Sequence, residues 1–109
     1  MFLMPSQYEP CGLNQMYSLR YGTVPIVRAT GGLDDTVENV SEDGKYGTGF
    51  KFTNYTSYDL YTTIVRALAF YQMPEVWRGI MLRGMMQDNS WEKAAKEYEA
   101  LYAKILSYQ

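Results

Sequence analysis

The sequence predicts an α/β domain built on a parallel sheet, and three observations predict it. Three short runs, MFLM (residues 1–4), TVPIV (23–27) and GFKF (49–52), are apolar or β-branched and have strand length. The segments between them are long enough to be crossovers, not hairpin turns. From residue 56 onward the apolar residues recur at helical spacing. The resulting order is β-α-β-turn-β-α-α-α. Three strands make a small sheet, so the expected unit is half of a doubly wound domain, with all three strands from one side of the switch point.

Each element has a local reason. MFLM lacks alternation, which suits a strand covered on both faces, and Pro5 ends it. Leu13, Met16, Tyr17 and Tyr21 recur at helical spacing over residues 12–21, with Gly22 as the stop. TVPIV is broken by Thr30, Gly31 and Gly32, and a short helical turn is expected over residues 33–37. Residues 38–47 are polar and carry the turn dipeptide Asp43-Gly44. Thr56 and Asp59 have the spacing of a capping box with the shorter acid. Leu60, Ile64, Ala67, Leu68 and Tyr71 mark one face of the helix that follows. Pro74 and Glu75 suit the first turn of the next helix, whose stripe is Val76, Trp77, Ile80, Met81 and Met85. Ser90 can cap a last helix over residues 90–109, carrying Trp91, Ala94, Tyr98, Leu101, Tyr102 and Ile105.

Composition excludes several functions. The 109 residues suffice for one small core, with 47% hydrophobic and 20% charged residues. A net charge of -2 gives no basic excess, so nucleic acid is not an expected partner. No apolar run approaches the ~18 residues of a membrane span, and MFLMPS has no basic leader region. One cysteine allows no internal disulfide and fits a reducing, cytoplasmic compartment. The absence of histidine removes Ser-His-Asp triads, Cys-His pairs and most zinc sites. A strand at the very first residues reads as the inside of a larger domain, so the chain is expected to be a fragment.

In open parallel sheets ligands bind beyond the carboxyl ends of the strands. Two strand ends carry unusual residues here, 9–14 after the first strand and 30–32 after the second. Gly12 permits close approach of a ligand, and the N–H groups of Gly12, Leu13 and Asn14 stand at a helix start that favours phosphate. Gly31 and Gly32 offer a second set of donors. Glu9 is better suited to sugar hydroxyls than to phosphate. Together these describe a nucleotide sugar. The plainer readings are a simple turn for the glycines, a small buried residue for Cys11, and dipole partners for Asp34 and Asp35. The latter could instead form a glycosidase pair with Glu9. KYGTGF reads as a strand with close packing, not as a P-loop. Most of the eleven tyrosines fall on helical stripes and read as core or interface.

FLMPSQYEPCGLNQMYSLRYGTVPIVRATGGLDDTV resembles the carboxy-terminal domain of bacterial glycogen synthases and plant starch synthases, and NSWEKAAKEYEALY resembles the same family's terminal helix. The likeness spans nearly the whole chain and rests on EPCGLNQMY and RATGGL at the proper separation. Many retaining GT-B glycosyltransferases carry a glutamate, seven residues, then a second glutamate. Here Glu9 is followed by Tyr17 at that place, which favours the glycogen and starch synthase branch. The resemblance implies residues 1–109 as a partial nucleotide-sugar domain of the Rossmann-like GT-B type. It also implies glucose transfer from ADP-glucose to the non-reducing end of an α-1,4-glucan, with retention and without metal or other cofactor. Carried over, Glu9 holds the donor glucose. Cys11, Gly12 and Leu13 line the sugar and phosphates, Asn14 meets phosphate, and Thr30, Gly31 and Gly32 complete the leaving-group pocket. The family's amino-terminal KTGGL-type loop and histidine, and its Arg and Lys for the diphosphate, have no counterpart in these residues. The segment alone is therefore expected to be inactive. The alternative is a non-catalytic binding or interaction module on the same fold. Self-association is expected through the edge of residues 1–4 or the apolar face of the last helix.

Overall fold

The computed structural model describes residues 1–108. The elements are β1 (Phe2–Met4), α1 (Asn14–Arg20), β2 (Pro25–Arg28), α2 (Gly31–Thr36), β3 (Phe50–Phe52), α3 (Ser57–Tyr71), α4 (Pro74–Met86) and α5 (Trp91–Leu106). The sheet has the order β1-β2-β3, and both pairs are parallel. Phe2 stands opposite Pro25, and Ile26 opposite Phe50. The expected sequential parallel sheet is therefore present.

Successive residues of β2 enter different cores, as strand geometry requires. Ile26 joins Val24, Val40, Phe50, Ala67, Phe70, Trp77 and Ile80 under α3 and α4. Val27 joins Met4, Leu33 and Val37 under α2. Phe50 centres the larger cluster, stacked on Trp77 at 6.2 Å and tilted against Phe70 at 5.7 Å. Gly49 is needed beside it: a Cβ there would lie 2.7 Å from the Pro25 carbonyl oxygen.

The helix starts follow the local signals. Pro74 takes the first turn of α4. Ser90 caps α5, its hydroxyl accepting the Lys93 N–H at 3.3 Å. The Thr56 hydroxyl accepts the Asp59 N–H at 3.1 Å. The Asp59 carboxylate reaches the Asn54 N–H at 3.2 Å, because the Thr56 N–H already donates to the Asn54 carbonyl. Thr56→Ala is expected to cost about 1 kcal/mol and to lower the melting midpoint by roughly 4–8 °C. An unchanged midpoint in calorimetry would show that the cap contributes nothing net.

The helical faces depart from the sequence reading on α1 and on α3. On α1 the buried residues are Gln15, Ser18 and Leu19, whereas Leu13, Tyr17 and Tyr21 are exposed. A seven-residue helix buries whichever side the flanking loops turn toward the sheet, and here that side is partly polar. On α3 the buried residues are Thr63, Ala67 and Phe70, while Leu68 and Tyr71 face out. All eleven tyrosines are exposed, so none forms the core. The second helix also starts at Gly31, two residues earlier than the spacing predicts.

Two surfaces are left apolar. The outer edge of β1 is unpaired, with Phe2 and Leu3 exposed beside it. Helix α5 buries none of its residues. Its projection explains the radius of gyration of 15.9 Å, against roughly 13 Å for a compact chain of about this length. Among the described residues no helix is long and apolar enough to cross a membrane.

Candidate functional site

β1 and β2 are parallel neighbours, so the loops leaving their carboxyl ends emerge side by side. These loops touch backbone to backbone. A Cβ on Gly31 would lie 2.1 Å from the Glu9 carbonyl oxygen, and one on Gly32 would lie 1.9 Å from the Cys11 carbonyl oxygen. Only glycine permits that approach, and Gly31 further has φ +47°. The Gly32 N–H donates to the carbonyls of both Glu9 and Pro10 at 3.1 Å. Gly12 turns the first loop into α1 with φ +70°. The structure thus brings Glu9, Pro10 and Cys11 against Gly31 and Gly32, with Thr30 directly before them, and holds Gly12 to α2 only through Gln15 and Thr36.

The hydrogen-bond accounting separates the two sets of expected donors. The Gly32 N–H is engaged by the first loop, and those of Leu33 and Asp34 donate to the Thr30 carbonyl at 3.1 and 3.4 Å. The N–H groups of Gly12, Leu13 and Asn14 find no acceptor among the described residues. They are the free donors of this corner, at the positive end of α1.

The side chains sort likewise. Glu9 is half-buried, and its carboxylate makes no ion pair or hydrogen bond among the described residues. Asn14 and Leu13 are exposed. Cys11 is exposed, contrary to the reading of a small buried residue. The loop presses its backbone carbonyl, not its side chain, onto Gly32. Asp34 is paired with Lys51 at 2.7 Å. Arg28 donates to the Gln7 carbonyl and lies over the Tyr55 ring at 5.5 Å, and Arg20 reaches the Met85 carbonyl at 3.5 Å. No three His, Cys, Asp or Glu side chains cluster as metal ligands among the described residues.

Two residues of this corner escaped the sequence reading. Gln15 is fully buried and donates to the carbonyls of Cys11 and Gly12, both at 3.0 Å, and to the Thr36 hydroxyl at 3.1 Å. Thr36 donates in turn to the Gly32 carbonyl at 2.6 Å. The available signal was the spacing of Gln15, Ser18 and Leu19, a second helical stripe hidden by the more apolar one beside it.

No family model matches the chain. Its sequence is 59% identical over 104 residues to the glycogen synthase of Koribacter versatilis, covering 95% of this chain and 22% of that protein. It is 60% identical over 105 residues to the glycogen synthase of Anaeromyxobacter sp. strain K, with 96% and 22% covered. Its fold superposes on the catalytic domain of starch synthase IV from Arabidopsis thaliana, solved with ADP and acarbose, with a TM-score of 0.84 and 37% identity. That match covers 98% of this chain and 22% of the other. Sucrose-phosphate synthase from Thermosynechococcus elongatus gives a TM-score of 0.63 at 26% identity, covering 98% of this chain and 25% of the other. The backbone-on-backbone corner after β1 and β2, the parallel sheet and these likenesses agree: the chain belongs to the glycogen and starch synthase family and corresponds to a carboxy-terminal part of its members, about a fifth of their length.

Proposed function

We propose that this chain supplies one wall of the donor site of a hexosyltransferase that moves glucose from ADP-glucose to the non-reducing end of an α-1,4-glucan, with retention and without a metal. The observation that carries this reading is the joined pair of loops, 9–14 and 30–32, in a chain similar to a starch synthase solved with ADP and acarbose. The unpaired Glu9 carboxylate accepts hydrogen bonds from the glucose hydroxyls. The free N–H groups of Gly12, Leu13 and Asn14 stabilise the diphosphate as negative charge builds on it at departure. Cys11 and Leu13 border the sugar, while Thr30, Gly31 and Gly32 shape the leaving-group side. Gly32 acts there through its fit to the first loop, since its N–H is engaged. The single exposed cysteine suits a cytoplasmic setting.

One wall cannot exclude water or hold an acceptor, so these 109 residues are expected to transfer no glucose to glycogen. They are expected to bind nucleotide weakly, around millimolar. Titration with ADP and with ADP-glucose, followed by amide chemical shifts, checks this. Shifts should centre on residues 12–14. Glu9→Gln should weaken ADP-glucose roughly tenfold and leave ADP unaffected, because the lost charge-assisted hydrogen bonds go to the sugar. Shifts confined to α5, or equal weakening of both ligands, would sink the assignment.

A further inference from the structure

We infer that Gln15 is a positioning residue: its carboxamide, through Thr36, fixes the loop after β1 against the glycine pair that opens α2. The inference rests on the nucleotide-sugar reading for its consequence, but not for its geometry. Helix α1 exposes Tyr17, as its cap exposes Leu13, and buries Gln15 completely, an inversion that costs free energy unless the amide is well paired. It is well paired on one side. Nε2 has two hydrogens and three acceptors within 3.1 Å: the carbonyls of Cys11 and Gly12 and the Thr36 hydroxyl. At least one hydrogen is therefore shared. Because the Thr36 hydroxyl gives its own hydrogen to the Gly32 carbonyl, the chain of bonds runs from Gly12 to Gly32 without a break.

The donor side of the amide, not the acceptor side, is what specifies glutamine. Oε1 is buried with no donor and lies 2.7 Å from where a Cβ on Gly12 would stand. A glutamate at position 15 would turn carboxylate oxygens toward two carbonyls. A leucine or methionine would fill the space but strand those carbonyls. The Gly32 N–H already binds the Glu9 and Pro10 carbonyls directly. The glutamine bond chain adds a second tie on the far side of Gly12, so the free donors of residues 12–14 and the Glu9 backbone keep one spacing from α2.

Three variants test this: Gln15→Met, Thr36→Val and Thr36→Ser. The first readout is amide hydrogen exchange in the unliganded chain. In Gln15→Met and Thr36→Val the Gly32 amide should exchange at least tenfold faster, while Val27 in β2 keeps its rate. Thr36→Ser, which retains the hydroxyl, should match the parent. The second readout is the ADP titration, where the first two variants should bind about tenfold more weakly. Parent-like exchange at Gly32 in Gln15→Met, or acceleration equal at Gly32 and Val27, would overturn the inference in favour of simple packing. If Gln15→Met does not fold, the Thr36→Val and Thr36→Ser pair decides alone. A parent chain that shows no ADP shifts would overturn the nucleotide reading only, since the exchange comparison needs no ligand.

Discussion

Gly32→Ala should destabilise the domain by about 3 kcal/mol or more, a large share of the roughly 5–15 kcal/mol that keeps a domain folded. The added methyl would stand 1.9 Å from the Cys11 carbonyl oxygen and 2.5 Å from that residue's Cα. Both atoms are backbone, so no side chain can swing aside. The loop must lift, which also breaks the Gly32 N–H bonds to Glu9 and Pro10. Overpacking costs about 1–3 kcal/mol, and each lost hydrogen bond adds about 0.5–1.5 kcal/mol. Gly79→Ala is the control. That glycine lies inside α4, and its nearest neighbour would be one nitrogen of the Arg83 guanidinium at 3.3 Å, a group held by the Gly44 and Gly47 carbonyls. There the helix-propensity gain of roughly 0.5–1 kcal/mol offsets the small shift asked of Arg83, so the same substitution should change stability by no more than about 1 kcal/mol. Urea unfolding of both variants gives the comparison. Equal midpoints for Gly32→Ala and the parent would mean that the two loops do not depend on close backbone contact.

Local signals explain what could be read in advance. Pro74, Ser90 and Thr56 mark helix starts through bonds made within a few residues, and each lies where its chemistry places it. The parallel order follows from crossover length and was equally legible. Helix faces were not. Hydrophobic periodicity assumes that the more apolar side turns inward, yet α1 turns Gln15, Ser18 and Leu19 inward and leaves Leu13 and Tyr17 outside. That choice is set by contacts with residues 11, 12 and 36, which no short window contains. The same limit applies at the candidate site. Parallel-sheet topology places Glu9 near Gly31, but only the folded backbone shows that the Gly32 N–H is engaged while those of residues 12–14 stay free.

The chain should not be a monomer at high concentration, and α5 should hold the copies together. None of its residues is buried, and Trp91 is 89% exposed. Trp91, Ala94, Tyr98, Leu101, Ile105 and Tyr108 recur at alternating intervals of three and four, the seam of a left-handed helix pair. In an antiparallel two-fold pair, Trp91 would face Tyr108 of the second copy, Ala94 would face Ile105, and Tyr98 would face Leu101, so each large side chain meets a smaller or planar one. The same arrangement sets Glu97 near Lys104 of the second copy, twice by symmetry. A parallel pair makes no such match. Four exposed aromatics, Trp91, Tyr98, Tyr102 and Tyr108, each able to bury 150–250 Å², bring the contact to roughly the 800 Å² per partner of a stable interface. Light scattering across a concentration series should therefore rise from 12.6 kDa to twice that mass. Leu101→Glu should hold the mass at the lower value. Glu97→Lys should weaken pairing, and adding Lys104→Glu to it should restore pairing, which only an antiparallel match predicts. A dimer that survives Leu101→Glu would move the contact to the open edge of β1 beside Phe2 and Leu3. A constant monomer mass with a cooperative melt would show that an unpartnered α5 is tolerated and that the pairing is wrong.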